Sequence, residues 1–534
     1  MEIALDLLAQ ARGNNYVTVT VAVLSLVVFF YFNYSTQPFR GIPYVGGPKW
    51  DILNIKAQYR FVTDCKNLIK EGLQKYNGPF QVIGYVPITV LPPRYVPLIK
   101  DHPNLDFGKS AERRLFGQYP GLDWAHKINE DRIFQESLRI NMTQYLSEAT
   151  LLLAEEAREI LSEFFPQTTE WTSYTFGKDA AEMGVRLSTL VFLGKRFTKN
   201  KEWLYICTQY PQGIFGAIGG LLSTPKFLRP VLYRFLPHII ALKKYGEVAR
   251  TLILPEIEER RRLRDAGADV KFNDALEWYY KNSSKRGKEE DFDAVSAMIS
   301  LAFASTHTTV DLLCNVLYDL AAHPECIGPM REEIDKVLAE DGGWKKTTLY
   351  KMRLMDSFLK ETQRMNPVQL STNSPKTQLK EFARQNPRVT NTLSHAAAMN
   401  RYVKQTTILS DGTRLPKGSL LAVSLEGLRD ASQFANPDVF DGFRFARKRQ
   451  EPGQENQWQF TSTRNEFPSF GHGQWSCPGR FLVANELKIF LAELLIRYDI
   501  GYPAGVTRPP CTWFATESQV NMDTPLVFKL REKA

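Results

Sequence analysis

The spacing of apolar and polar positions predicts helices joined by a smaller extended part. Leu146, Leu151, Leu153, Ala154 and Leu161 recur at helical spacing within Arg139–Phe164, and a second helix is expected around Ala57–Tyr76. Asp291–Ala322 reads as one long apolar helix of about 48 Å, ended by Pro324. Asp356–Met365 continues a helix into Asn366-Pro367, and Phe481–Tyr498 is strongly helical. Phe80–Leu91 reads as two short strands with Pro87 marking the turn. Thr407–Pro416 reads as a hairpin around Asp411-Gly412, and Ser419–Ser424 as a strand. Glu256–Asp265 carries so many charges that a solvated helix face is expected.

Two stretches fall outside this pattern. Tyr16–Phe32 is an uncharged apolar run whose helix would be about 26 Å long, enough for a thin membrane. Glu2 and Asp6 precede it, whereas Arg40, Lys49, Lys56 and Arg60 follow, and no small-residue cleavage site is present. The run is therefore expected to be an uncleaved anchor with the main body in the cytosol, leaving the sequons at Asn33, Asn141 and Asn282 unglycosylated. The expected organisation is 1–15 luminal, 16–32 transmembrane, 33–50 a hinge stiffened by Pro38, Pro43 and Pro48, and 51–534 catalytic. Thr372–His395 is polar and aperiodic, and is read as an insertion of about two dozen residues. It is a surface loop or, preferably, translated intron.

Composition narrows the class. Apolar residues make up 43% of 534 residues and charged residues 23%, the balance of an ordinary globular chain. The formal charge of +9 is dispersed among acids, which disfavours nucleic acid and favours a membrane surface or an acidic protein partner. Six cysteines show neither C-x-x-C nor zinc-like spacing, so a reducing compartment fits.

The chemistry concentrates in Phe470–Arg480, where Cys477 lies in a loop of glycines and aromatics just before a helix. Free backbone N–H groups and the helix dipole there favour a thiolate that can hold a metal. Taken alone, a buried structural cysteine is the commoner meaning. Phe470, Gly473, Cys477 and Gly479 together resemble the haem-ligand loop of the cytochrome P450 superfamily. In that resemblance Gly473 and Gly479 give a flat ligand close approach, and Phe470 walls off the sulfur. Trp475 stands where the family has an arginine or histidine contacting a haem propionate. Arg139, on a segment similar to the family's propionate-contacting helix, is the expected replacement cation, although Gln135 replaces the usual Trp or His.

Three further stretches carry the same resemblance. Ala304-Ser305-Thr306-His307-Thr308-Thr309 is similar to the oxygen-binding motif, with Ser305 for glycine and His307 for the acid. Thr308 is then expected to hold a water beside the iron and His307 to relay protons near neutral pH. Glu361 and Arg364 match the Glu-x-x-Arg helix, with Arg444 as third partner in a structural lock. The resemblance implies a mainly α fold with a small β part and one N-terminal transmembrane helix. It also implies haem b (iron protoporphyrin IX) on Cys477 and insertion of one atom of O₂ into a C–H bond of a small hydrophobic secondary metabolite, a terpenoid or meroterpenoid. Electrons would come from an NADPH-cytochrome P450 reductase, with cytochrome b5 as a second donor, at the endoplasmic reticulum membrane. The rival readings are a haem-thiolate isomerase or dehydratase needing no reductase, and a non-catalytic membrane-tethered haem protein.

Overall fold

A computed structural model describes residues 18–23, 25, 37–47, 51, 54–84, 86–123, 133–224, 226–367, 397–514 and 517–532. The anchor run is covered only at 18–23 and 25, which are helical, and Thr372–His395 lies outside the described residues.

The helices that matter for the site are α1 (Ile55–Lys75), α2 (Phe107–Arg114), α3 (Thr143–Phe164), α4 (Ala180–Leu193), α5 (Lys201–Ser223), α6 (Pro237–Asp265), α7 (Ala294–Ala322), α8 (Arg353–Met365) and α9 (Arg480–Arg497). The strands are β1 (Tyr44–Val45), β2 (Phe80–Ile83), β3 (Pro87–Leu91), β4 (Leu105–Asp106), β5 (Thr172–Tyr174), β6 (Ala397–Val403), β7 (Thr407–Ile408), β8 (Arg414–Leu415), β9 (Leu420–Ser424), β10 (Tyr498–Gly501), β11 (Thr512–Phe514), β12 (Glu517–Gln519) and β13 (Leu526–Leu530). Six of them form a mixed sheet in the order β1-β2-β3-β9-β6-β4. The expected hairpins are present: β2 pairs antiparallel with β3, and β7 with β8 around Gly412 at φ +83°.

Helix α7 is the central element because it is apolar on nearly every side. Asp293 starts it, its carboxylate accepting from the Ser296 N–H (3.0 Å) and hydroxyl (2.6 Å), so the helix begins three residues after the expected Asp291. It is long and apolar enough to cross a membrane, yet 72% of its most apolar window is buried, which makes it a core helix. α4, α5 and α6 pack along it. The α5–α6 approach depends on glycines, since a Cβ at Gly216 would lie 2.6 Å from the His238 ring.

Two helical expectations need correction. Arg139–Phe164 is not one regular helix, because Ser137–Met142 forms a π-helical turn before α3. The charged end of α6 is not wholly solvated: Glu256 and Arg260 are buried, and Arg260 makes two 2.7 Å bonds to Asp274 and one of 2.9 Å to Glu256. Periodicity shows a face but not what packs on it.

Candidate active site

The cysteine loop is shaped by its own backbone. The Cys477 N–H donates to the Phe470 carbonyl at 2.7 Å, closing the loop, and the Phe470 ring meets Phe460 edge-on at 5.2 Å. Gly471 and Gly473 have φ of +70° and +75°, in the left-handed region where glycine costs least. At Gly473 a Cβ would lie 2.5 Å from Asp101 Oδ1 and 2.8 Å from the Lys100 carbonyl oxygen. Its close approach serves the neighbouring protein segment, where Asp101 accepts the Gln474 N–H at 2.6 Å. Gly479, at φ −80°, does not have the unusual conformation expected of it, and the nearest atom a Cβ would meet is Cys477 Sγ at 3.9 Å.

Cys477 itself is half-buried. Burial pushes its thiol pKa up, against the N–H groups of Gly479 and Arg480 and the Arg480 charge, which pull it down. The expectation that the helix start alone favours a thiolate is thus corrected, because desolvation outweighs it until a cation binds.

Around this loop stand donors with nothing to bind. The indole Nε1 of Trp475, the Nε of Arg480, and the Nε and Nη2 of Arg401 are buried without a hydrogen-bond partner among the described residues. Arg401 projects from β6 and only its Nη1 is satisfied, by the Asn400 carbonyl at 2.9 Å. Burial lowers its pKa to about 10, against Asp101 and Asp106. Arg480 holds the Cys477 carbonyl at 2.7 Å, and its pKa is lowered by burial and by the nearby Arg139. Asp101 and Phe107 connect the group, since Asp101 binds the loop at Gln474 and acts on Arg401, and Phe107 lies 6.1 Å from Trp475. Arg139 is exposed at the same edge. Unpaired buried donors of this kind are rare and costly. Cations and N–H groups converging around the half-buried Cys477 fit the two carboxylates of a haem whose iron this sulfur would hold.

Sequence reading did not assign Arg401 or Arg480. The signal at Arg401 is visible in retrospect: Ala397, Met399, Arg401 and Val403 alternate inward along β6, and a cation in phase with apolar residues calls for a partner.

Behind the loop, Glu361 receives two arginines. Arg364 binds it through Nε and Nη2, each at 2.8 Å, and the Arg444 Nε lies 3.1 and 3.2 Å from the two carboxylate oxygens. The Asp441 N–H adds a bond of 3.0 Å. The surplus positive charge is spread over backbone carbonyls: Arg364 reaches Leu428 (2.9 Å) and Pro437 (2.7 Å), and Arg444 reaches Ala435, Asn436 and Val439. Neighbouring Lys360 and Asp356, on the same helix α8, hold the chain leading to the loop. Lys360 donates to the Gln459 and Ser462 carbonyls at 3.0 and 3.2 Å, and Asp356 accepts the Phe460 N–H at 2.7 Å.

On α7 the open face is formed by Ala304, Ser305 and Thr308. The Thr308 hydroxyl donates to the Ala304 carbonyl at 2.9 Å, leaving its lone pairs free to accept. His307 differs from expectation. Its Nδ1 lies 2.8 Å from the Phe303 carbonyl, which can only accept, so Nδ1 carries the proton. Its Nε2 is buried without a partner, and the ring packs on Phe215 and Phe303 at 5.7 and 5.0 Å. Burial lowers its pKa to about 4. A histidine so placed is neutral near pH 7, with its ring half-buried and its Nε2 shielded, so the expected near-neutral relay at His307 is corrected to a packing role. The Trp513 and Phe514 side chains, candidates for the pocket lining, lie outside what the structure describes.

A family model for Cytochrome P450 matches residues 134–386 and 391–522, which include Cys477, Thr308, Glu361, Arg364 and Arg444. The chain belongs to the cytochrome P450 family. Cytochrome P450 monooxygenase bsc2 of Alternaria brassicicola is 34% identical over 499 residues, covering 91% of this chain and 89% of the relative. Cytochrome P450 monooxygenase easM of Aspergillus fumigatus is 30% identical, covering 92% and 90%. Among solved structures, the haem domain of cytochrome P450DA superposes with a TM-score of 0.67 at 16% identity, covering 92% of this chain and 98% of that one, which supports the shared fold. With fungal monooxygenases matched over nearly their whole length, this P450 is a haem-thiolate monooxygenase.

Proposed function

We propose that this P450 inserts one oxygen atom from O₂ into a C–H bond of a hydrophobic fungal secondary metabolite, a terpenoid or meroterpenoid. Its electrons come from an NADPH-cytochrome P450 reductase, and cytochrome b5 is a second possible donor. The observation that carries the reading is the group of unpaired donors around the Cys477 loop among the described residues, which the two carboxylates of a haem at the sulfur would satisfy. Arg401, Arg480, Trp475 and Arg139 would hold the carboxylates of haem b, and Cys477 would supply the sulfur that binds its iron. When bound, haem supplies iron-centred O₂ activation, favoured by electron density from the thiolate. The Glu361–Arg364–Arg444 lock keeps the loop in place. Thr308 accepts a hydrogen bond from a water on the open face of α7, and Ala304 leaves room for a flat group against the helix. The formal charge of +9 suits an acidic reductase surface. The run Tyr16–Phe32 is the anchor, which places the protein in the endoplasmic reticulum membrane with its catalytic part cytosolic.

Carbon monoxide added to the reduced protein tests the ligand, since a thiolate gives a strongly red-shifted band. Cys477→Ala loses that band, whereas alanine at Cys65, Cys207, Cys314, Cys326 or Cys511 keeps it. Retention of the band in Cys477→Ala sinks the assignment. NADPH consumption matched to product separates a monooxygenase from an isomerase or dehydratase.

A further inference from the structure

His307 occupies the motif position where the resemblance leads one to expect an acid, and its neutral ring, with Nε2 shielded, leaves that role empty. The open face of α7 continues past Thr308. Ala304, Thr308, Asp311, Asn315 and Asp319 are spaced i, i+4, i+7, i+11 and i+15, one stripe along the helix. Asp311 sits deep in the molecule yet keeps part of its surface open, as Thr308 does, whereas Asn315 and Asp319 are closed. Its carboxyl is held from two sides: Oδ1 accepts the Val520 N–H at 3.0 Å, just after the β11–β12 hairpin, and Oδ2 accepts Asn315 Nδ2 at 3.3 Å. Asn315 is itself held by Arg508, whose Nη2 reaches Asn315 Oδ1 at 3.0 Å and whose Nε pairs with Asp319. The cation of Arg508 is thereby engaged by Asp319, one turn beyond Asn315.

We propose that Asp311, one turn beyond Thr308 on the open face, stores and supplies a proton for oxygen activation in this enzyme, in place of the residue at 307. This rests on the monooxygenase reading above. The carboxyl O–H bond of Asp311 breaks as an O–H bond forms on a water held at Thr308, and that water passes on one of its own protons. The carboxylate is reprotonated from solvent, and the electrons for O₂ come from the reductase. The environment agrees. Burial raises the Asp311 pKa to about 7, with Val520 N–H, Arg508 and Asn315 acting the other way. Among the described residues the other titratable groups facing it are Cys314 and Cys511, both held as thiols by burial.

The test uses full-length, haem-loaded enzyme with reductase, NADPH and O₂, without added substrate. Infrared difference spectra between about pH 6 and pH 8 read the carboxyl directly and need no turnover. In a Glu486→Gln background, which removes the other carboxyl that titrates near this range, the protein loses a protonated carboxyl band between these pH values, and adding Asp311→Asn abolishes that loss. O₂ consumption in the wild type declines as pH rises through about 7. Asp311→Asn slows it by about 10²-fold and flattens the profile, Asp311→Glu restores most of the rate, and His307→Phe keeps the wild-type profile. An unchanged rate and profile in Asp311→Asn, or a carboxyl band that does not titrate, overturns the proposal. Should Asp311→Asn fail to take up haem, Asn315→Leu decides: removing a donor to the carboxylate moves the midpoint up, and an unmoved midpoint overturns the proposal. A wild type with no thiolate band and no O₂ consumption contradicts the monooxygenase reading instead, while the infrared result stands on its own.

Discussion

Two groups of buried arginines, one behind the cysteine loop and one at its edge, are set up in opposite ways. Behind the loop, Arg364 and Arg444 share Glu361 and are bonded further to a series of backbone carbonyls. At the edge, Arg401 and Arg480 leave guanidinium nitrogens buried with nothing to bind, beside an equally unpaired Trp475 indole. A polar group buried without a partner costs about 1–3 kcal/mol, more when charged. The satisfied group is therefore complete in the protein alone, and the unsatisfied one becomes complete only with an anionic ligand.

The largest effect is expected where the satisfied group is broken. Glu361→Ala leaves two arginines facing each other without a carboxylate, at a cost of about 3–5 kcal/mol. Denaturant unfolding should register that loss together with loss of bound haem, and normal stability would remove Glu361 from the lock.

A slightly smaller effect comes from Glu486, a buried acid outside both groups. Its Oε1 accepts the Ser188 hydroxyl at 2.9 Å, and burial raises its pKa to about 8. A carboxyl whose folded pKa exceeds its unfolded value binds its proton more tightly when folded, so stability falls as pH rises between about 4.5 and 8. Glu486→Gln removes that dependence, and by pH 8 the variant should be more stable than wild type by on the order of 3 kcal/mol. Melting temperatures at pH 5 and pH 8, values on either side of the fall, check this: an equal difference at both pH values refutes it.

At the unsatisfied edge the sign should depend on the ligand. Arg401→Met removes two unpaired donors from the haem-free protein, so apoprotein stability is unchanged or higher. The holoprotein loses about 1.5–3 kcal/mol of haem affinity, the range for a hydrogen bond to a charged group. Haem-transfer titration and apoprotein unfolding measure the two halves. Destabilised apoprotein with normal haem affinity would make Arg401 a structural arginine like Arg364.

The smallest effect separates the loop glycines. Gly473→Ala places a methyl group against Asp101 and the Lys100 backbone at positive φ, at a cost of about 1–2 kcal/mol. Gly479→Ala meets only ordinary contact and should stay within about 0.5 kcal/mol of wild type. Equal losses in thermal unfolding would contradict the difference in their backbone settings.

Much of this molecule was legible in one dimension. The apolar run of α7, the hairpins at Pro87 and Gly412, and the helix after Cys477 depend on periodicity and turn residues, which are local properties of the chain. The lock was readable because Glu361 and Arg364 are one helical turn apart, and Arg444 followed from the resemblance. The roles of single polar residues depended on what surrounds them in space. His307 and Thr308 are adjacent in sequence and both half-buried, yet one ring packs on Phe215 and Phe303 while the other side chain binds the carbonyl of exposed Ala304, because successive helix positions are turned about 100° apart. Arg401, Arg480 and Trp475 converge from a strand, a helix start and a loop separated by up to 79 residues, and only packing shows that their donors have been left without partners. Sequence by itself determined the elements, the cysteine loop and the family. Tertiary structure decided which buried polar groups are satisfied, because desolvation and hydrogen-bond geometry depend on neighbours that are distant along the chain.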